Sequence, residues 1–252
     1  MGKFMTVVYG FFIYCFFLAT FVVAIGFVGN VAVPKTIDSG LPAPLTEAWT
    51  INLCLLGIFA VQHSVMARRS FKQWWTQIVP KSIERSTYVL AASLALALLM
   101  WQWRPIAEPV IWDIEHPAGV WALHAVFWLG WIVLLISTFL INHFELFGLR
   151  QVLARLRGLE IPAPVFKTPL LYRHVRHPIY LGFVLAFWAT PHMTEGHLLF
   201  ASACTGYILI GIWFEERDLM AQFGQRYALY RQQVGMLVPK IGARDRKGTA
   251  RS

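Results

Sequence analysis

The chain has 252 residues, 57 % of them hydrophobic and only 14 % charged, against about 25 % charge in an ordinary soluble domain. A soluble fold of this size has too little interior to hide so much apolar surface, so lipid is the solvent the sequence expects. The balance is basic, with a net charge of +9 and a pI near 9.7. The cations lie between long apolar runs and not on a polar domain, which argues against a nucleic-acid partner and for anionic membrane lipids.

A membrane span needs about 20 predominantly apolar residues, and runs of that length can be taken in chain order. The first covers 4–33 and is stopped by Pro34; it is too long for a cleaved signal peptide and reads as a span. The second, 47–67, follows Pro42 and Pro44 and ends at Arg68–Arg69. The third, 86–103, ends at Arg104–Pro105, and the fourth, 118–142, runs from Pro117 to His143. Beyond a polar stretch lie two short runs, 178–190 and 197–214, with Pro191 and Gly196 between them. The thirteen-residue run is too short to cross comfortably alone, so a helix–turn–helix hairpin that enters and leaves on one side is expected. If it does not cross, the chain has four spans and a broken fifth element.

The expected fold is therefore an all-α polytopic membrane protein of about five transmembrane elements, the last a hairpin. It divides into helices 1 to 4 over 1–142 and a site-bearing connector, hairpin and amphipathic helix over 143–238. A basic tail follows over 239–252. With a cytoplasmic N-terminus and a hairpin that returns the C-terminus to the same side, all but Lys35 and Arg104 of the 22 basic residues are cytoplasmic. Asp38, Glu47, Glu108, Asp113 and Glu115 gather on the opposite face. That asymmetry obeys the positive-inside rule.

Chemistry has few places to sit. Cys15, Cys54 and Cys204 all fall in apolar runs, without disulfide or metal-ligand spacing. There is no dinucleotide fingerprint, phosphate-binding loop, nucleophile elbow or HExxH. Two cytoplasmic segments are richer in functional side chains than a connection requires: His143 to Tyr180, and the stretch from Phe214 through Val234. Pro178 suits a helix start and holds His177 outside the helix mouth. Arg173 and Arg176 stand beside it, and Tyr180 falls in the first turn. Arginines and tyrosines here also read as plain interfacial anchors. The adjacent carboxylates Glu215 and Glu216 repel one another unless cations compensate, and Arg173, Arg176 and Arg217 can supply them. A carboxylate pair suits a ribose diol or a cationic ligand. Leu219, Phe223, Tyr227 and Tyr230 recur at helical spacing, as on one face of a single amphipathic helix. His143 and Glu145, at the end of the fourth span, can reach the same place. His63 reads as a hydrogen-bonded structural histidine, and His116 and His124 belong to the far side.

RHPxYLG (Arg176, His177, Pro178, Tyr180, Leu181, Gly182), followed by Glu215, Glu216, Leu219, Phe223, Gly224, Tyr227 and Tyr230 as EExxL…FGxxYxxY, resembles the C-terminal half of the isoprenylcysteine carboxyl methyltransferase superfamily. QHSVMARRSFKQWW, PKSIERSTYVL and INHFELFGLRQV narrow the resemblance to its bacterial methanethiol S-methyltransferase branch. The resemblance implies a bacterial inner-membrane enzyme with S-adenosylmethionine as donor and a small thiol as acceptor. It implies that Phe166, Lys167, Tyr172, His177, Pro178, Tyr180, Glu215 and Glu216 line the cofactor. Because the thiolate is the nucleophile, His143 with Glu145, or Arg176 and Arg217 acting electrostatically, are the candidates for promoting deprotonation. Other readings stay open at this point: another acceptor (an isoprenylated thiol, a lipid or hydrogen sulfide), an NADPH-dependent membrane reductase sharing the RHPxY segment, or a non-enzymatic membrane protein. The sequence leaves oligomeric state undetermined.

Overall fold

The computed structural model describes residues 2–160 and 165–240. The greater part of the expected basic tail, 241–252, lies outside them. Five helices are long and apolar enough to cross a membrane: α1 (Lys3–Gly29), α2 (Leu45–Ala67), α4 (Lys81–Gln102), α5 (Pro117–Ile141) and α9 (Glu195–Phe223). Shorter helices are α3 (Arg69–Trp75), α6 (His143–Leu146), α7 (Leu149–Arg157), α8 (Pro178–Trp188) and α10 (Gln225–Gln233), with a 3-10 turn at Leu170–Arg173. Two short strands, β1 (Val110–Asp113) and β2 (His192–Thr194), pair antiparallel. The chain is an all-α polytopic membrane protein.

The boundaries differ from the hydropathy reading for local reasons. α1 stops at Gly29 because Asn30 takes a left-handed conformation (φ 53°) and caps it, short of Pro34. α4 begins at Lys81, straight after Pro80, because its first turn is polar and invisible to an apolar scan. α9 continues to Phe223, so Glu215 and Glu216 ride on the helix and do not end it. The single amphipathic helix expected over 219–230 is broken by Gly224 at φ +52°, which separates Leu219 and Phe223 on α9 from Tyr227 and Tyr230 on α10.

One face is closed by the connections α1–α2, α4–α5 and α8–α9. Fully buried Trp103 donates its indole N–H to the Ile37 carbonyl (3.1 Å). Buried Asn52 exchanges two hydrogen bonds with the Arg104 backbone, at 2.8 and 2.9 Å, and Thr194 donates to Asp38 at 2.5 Å. The β1–β2 ribbon joins the α4–α5 connection to the hairpin turn, so that turn lies at this face. The hairpin's first limb is nevertheless short: 11 residues of α8 rise about 16 Å, against a hydrocarbon core of about 30 Å. The segment before Pro178 is largely irregular backbone. Such backbone is tolerated in a membrane only where protein satisfies it. Here the Arg176 N–H donates to the Gly235 carbonyl (2.8 Å) and the His177 N–H to that of Met236 (3.2 Å).

α8 is held by α5 through facing glycines. A Cβ on Gly182 would stand 2.6 Å from the Gly130 carbonyl oxygen, and one on Gly130 would stand 2.6 Å from that of Gly182. Only glycine permits this approach, the close contact that substitutes for a hydrophobic driving force between helices in lipid.

Candidate active site

The half-crossing α8, the end of α9, the segment before α8 and the chain after α10 converge on the face opposite the ribbon. His177 precedes Pro178 with φ −127° and ψ 64°, outside helical space, as a residue before proline prefers. Its imidazole is buried and faces both carboxylates: Nε2 is 3.2 Å from Glu216 Oε1, and Nδ1 is 3.6 Å from Glu215 Oε2.

The two glutamates have different environments. Glu216 is buried; Arg176 Nε donates to its Oε1 at 2.7 Å, and Arg231 Nε lies 3.3 Å from Oε2. The same Arg176 guanidinium donates to the Arg231 and Val234 carbonyls, so it ties α9, α10 and the following extended segment together. Arg176 and Glu216 are consumed by this clamp. The Glu215 side chain is 44 % exposed, lies 3.6 Å from His177 Nδ1 and accepts a hydrogen bond from the Tyr180 hydroxyl. It is the more solvent-accessible of the two carboxylates.

Aromatic rings form the adjoining wall. Phe166 packs against Phe223, Tyr227 and Tyr230 at centroid distances of 5.4, 6.0 and 5.4 Å. Tyr230 donates its hydroxyl to the Tyr172 carbonyl at 2.5 Å. Burial pushes the Tyr230 phenol up to about 12 and raises those of Tyr172 and Tyr227, so all three remain protonated donors. Tyr227 is 1 % exposed, yet its hydroxyl has no hydrogen-bond partner. A buried unpaired donor costs about 1–3 kcal/mol. Lys167, next to Phe166 in the chain, is exposed.

Tyr180 connects this cluster to the membrane interior. It lies within electrostatic reach of Glu215 on one side and of Tyr88 and Tyr207 on the other. It also lines an apolar cavity of about 390 Å³ between α1, α2, α4, α5, α8 and α9. The cavity's polar end carries Tyr180, His63, Tyr88, Arg85, Tyr207 and His143; Phe, Leu, Met and Trp side chains line the rest.

The residues expected to act on a thiol do not all reach this place. Arg217 is exposed, with its guanidinium 5.9 Å from the Trp213 ring, on the outward side of α9. Glu145 is bound by Arg150 and by Asn142, not by His143. His143 does line the cavity, stacked on Phe139 at 4.2 Å, but both ring nitrogens are engaged. Thr138 spends its hydroxyl hydrogen on the Leu135 carbonyl (2.7 Å), so it accepts from His143 Nδ1 at 2.8 Å. That fixes the tautomer and leaves Nε2 to accept from the Tyr14 hydroxyl at 2.8 Å.

Sequence reasoning did not find Arg231 or the Gly235–Met236 carbonyls, because nothing local marks a residue whose partner is far away in sequence. It also missed Tyr88 and Tyr207, which read as ordinary aromatic residues of spans.

No family model and no solved structure matches the chain. Curated relatives do. It is 60 % identical to the methanethiol S-methyltransferase of Mycobacterium tuberculosis, over 95 % of this chain and 98 % of the relative. It is 58 % identical to methanethiol S-methyltransferase 1 of Bradyrhizobium diazoefficiens, over 94 % and 83 % of the two chains. With the methanethiol S-methyltransferase of Crocosphaera subtropica it shares 51 % identity over 97 % and 96 %. Identity of this order along nearly the full length places the chain in the methanethiol S-methyltransferase family.

Proposed function

We propose that this protein methylates methanethiol to dimethyl sulfide with S-adenosylmethionine as donor, in a bacterial inner membrane with both termini cytoplasmic. The observation that carries the reading is the position of Tyr180, between a polar cluster suited to the donor and an apolar cavity suited to a small thiol. The cluster fits the donor on three counts. Glu215 offers a half-exposed carboxylate to a ribose diol or an ammonium group, Tyr227 offers an unpaired phenol, and the rings around Phe166 suit a purine or a sulfonium. Lys167 and Tyr172 extend this wall, while His177, Pro178 and Tyr180 bound it at the head of α8.

S-adenosylmethionine supplies an electrophilic methyl group on a sulfonium with an excellent leaving group. The chain's contribution is alignment and exclusion of water. The Arg176–Glu216–Arg231 clamp positions Glu215 and the C-terminal segment without touching the reacting atoms. Dry apolar walls favour a transition state in which opposite charges are being lost. The basic surface of this face rests on anionic lipid.

Calorimetric titration of the detergent-purified protein with S-adenosylmethionine and, separately, NADPH tests the cofactor assignment. Saturable binding of the sulfonium donor and none of NADPH is expected. The reverse pattern would give the site to a reductase.

A further inference from the structure

Resting on that reading, we infer that the intramembrane cavity is the acceptor chamber, that it admits apolar thiols well beyond methanethiol in size, and that His63 takes the thiol proton. The volume gives the first part. About 390 Å³ is more than twice the roughly 150 Å³ of an apolar cavity known to hold benzene, so an aryl thiol fits. Trp131 lines the same cavity and carries a buried indole N–H with no partner, a donor available to a sulfur atom.

The proton follows from a comparison of the two histidines on the cavity wall. His143 has both nitrogens occupied. At His63 the Tyr88 hydroxyl stands 2.9 Å from Nε2 and 3.1 Å from Nδ1. The same hydroxyl donates its hydrogen to the His63 carbonyl at 3.5 Å, so its oxygen accepts from the protonated ring nitrogen and leaves the other with an open lone pair; neither nitrogen has another side-chain partner among the described residues. Phe59 stacks on the ring at 5.4 Å and Tyr207 meets it edge-on at 6.4 Å, which fixes its plane. Tyr88 also lies within electrostatic reach of Tyr180, so His63 sits at the end of the cavity that meets the cofactor cluster. In the step itself the S–H bond breaks, its electron pair stays on sulfur, and the proton passes to the open imidazole nitrogen. Arg85, whose guanidinium lies 4.9 Å from the Tyr88 ring centroid, favours the thiolate so formed. Tyr88 is the positioning residue, because it determines which nitrogen stays free.

Two readouts test this. In cofactor-free protein, 4-nitrothiophenol reports its own ionisation, since thiol and thiolate absorb at different wavelengths. The cavity-filling variant Ala92→Phe in the same detergent serves as the blank. The wild type is expected to bind the probe saturably and ionise it at lower pH than the blank does, and His63→Ala to bind it with ionisation shifted back upward. In the complete reaction, His63→Ala should lower kcat/KM for methanethiol by about 10²-fold or more, yet spare turnover of an aryl thiol already ionised at neutral pH. Equal losses on both thiols, or an unchanged ionisation of the bound probe, would overturn the role of His63. Identical probe binding by wild type and Ala92→Phe would overturn the chamber. A wild type that ionises the probe but methylates no thiol would instead remove the methyltransferase reading and leave the chamber standing.

Discussion

Glu215 and Glu216 are neighbours in sequence with different surroundings, and the difference is one of solvent and partners. The Glu216 and Arg176 side chains are 10 % and 8 % exposed, so removing either charge strands the other in a poorly solvated place, at a cost of about 3–5 kcal/mol. Glu216→Gln is accordingly expected to lower the thermal midpoint sharply and reduce the yield of folded protein. Glu215→Gln should leave the midpoint within error and weaken donor binding, a separation that paired melting and calorimetry will read. Tyr227 offers a second sign test. Its unpaired hydroxyl is a burden without ligand, so Tyr227→Phe should match or exceed the wild-type melting temperature while binding the donor several-fold more weakly. Burial lowers the His143 pKa, so its folded-state value lies below the unfolded value of about 6.5. The neutral ring's contribution is complete above that pH and fades as the pH falls toward the folded value. Between pH 7 and 5 the wild type should therefore lose more stability than His143→Gln does, as measured by melting both in the same buffers.

At the scale of elements, the half-length α8 depends on glycine. Because a Cβ on Gly182 would meet the Gly130 carbonyl, a backbone atom that cannot rotate away, Gly182→Ala should cost about 1–3 kcal/mol through overpacking. Gly130→Ala should cost a similar amount. The double variant should lose less than the sum, because one separation of α5 from α8 relieves both clashes; melting the set of four proteins measures the coupling. The sequence displayed Gly182 only as a letter of a motif, and the facing carbonyl supplies its reason. Long apolar runs were legible because lipid demands them, and α1, α2, α4 and α5 appear where hydropathy puts them. What hydropathy could not show was polar continuation of helices: the first turn of α4, and α9 carried past Phe214 to Phe223. The β1–β2 ribbon was also hidden, since Val110–Asp113 and His192–Thr194 are too short to carry a period of their own.

For the molecule as a whole, the candidate site was half legible. The residues around His177, Glu215 and Phe166 announced themselves by motif, and the structure gathers them at one face. Their ranking was not legible, because it depends on long-range partners: Arg231 and Val234 occupy Arg176, Asn142 and Arg150 occupy Glu145, and Tyr14 occupies His143. Arg217 turned outward for an equally simple reason, since a helix presents adjacent residues to different sides. The arrangement that results is a polar cluster at one face, joined through Tyr180 to an apolar cavity among the helices. The most direct test supplies the purified protein with S-adenosylmethionine carrying a trideuterated methyl group, together with methanethiol, and follows the headspace by mass spectrometry. This account predicts dimethyl sulfide bearing one trideuterated methyl, formed in step with S-adenosylhomocysteine. Demethylated donor without labelled dimethyl sulfide, or no consumption of donor by folded protein, would contradict it.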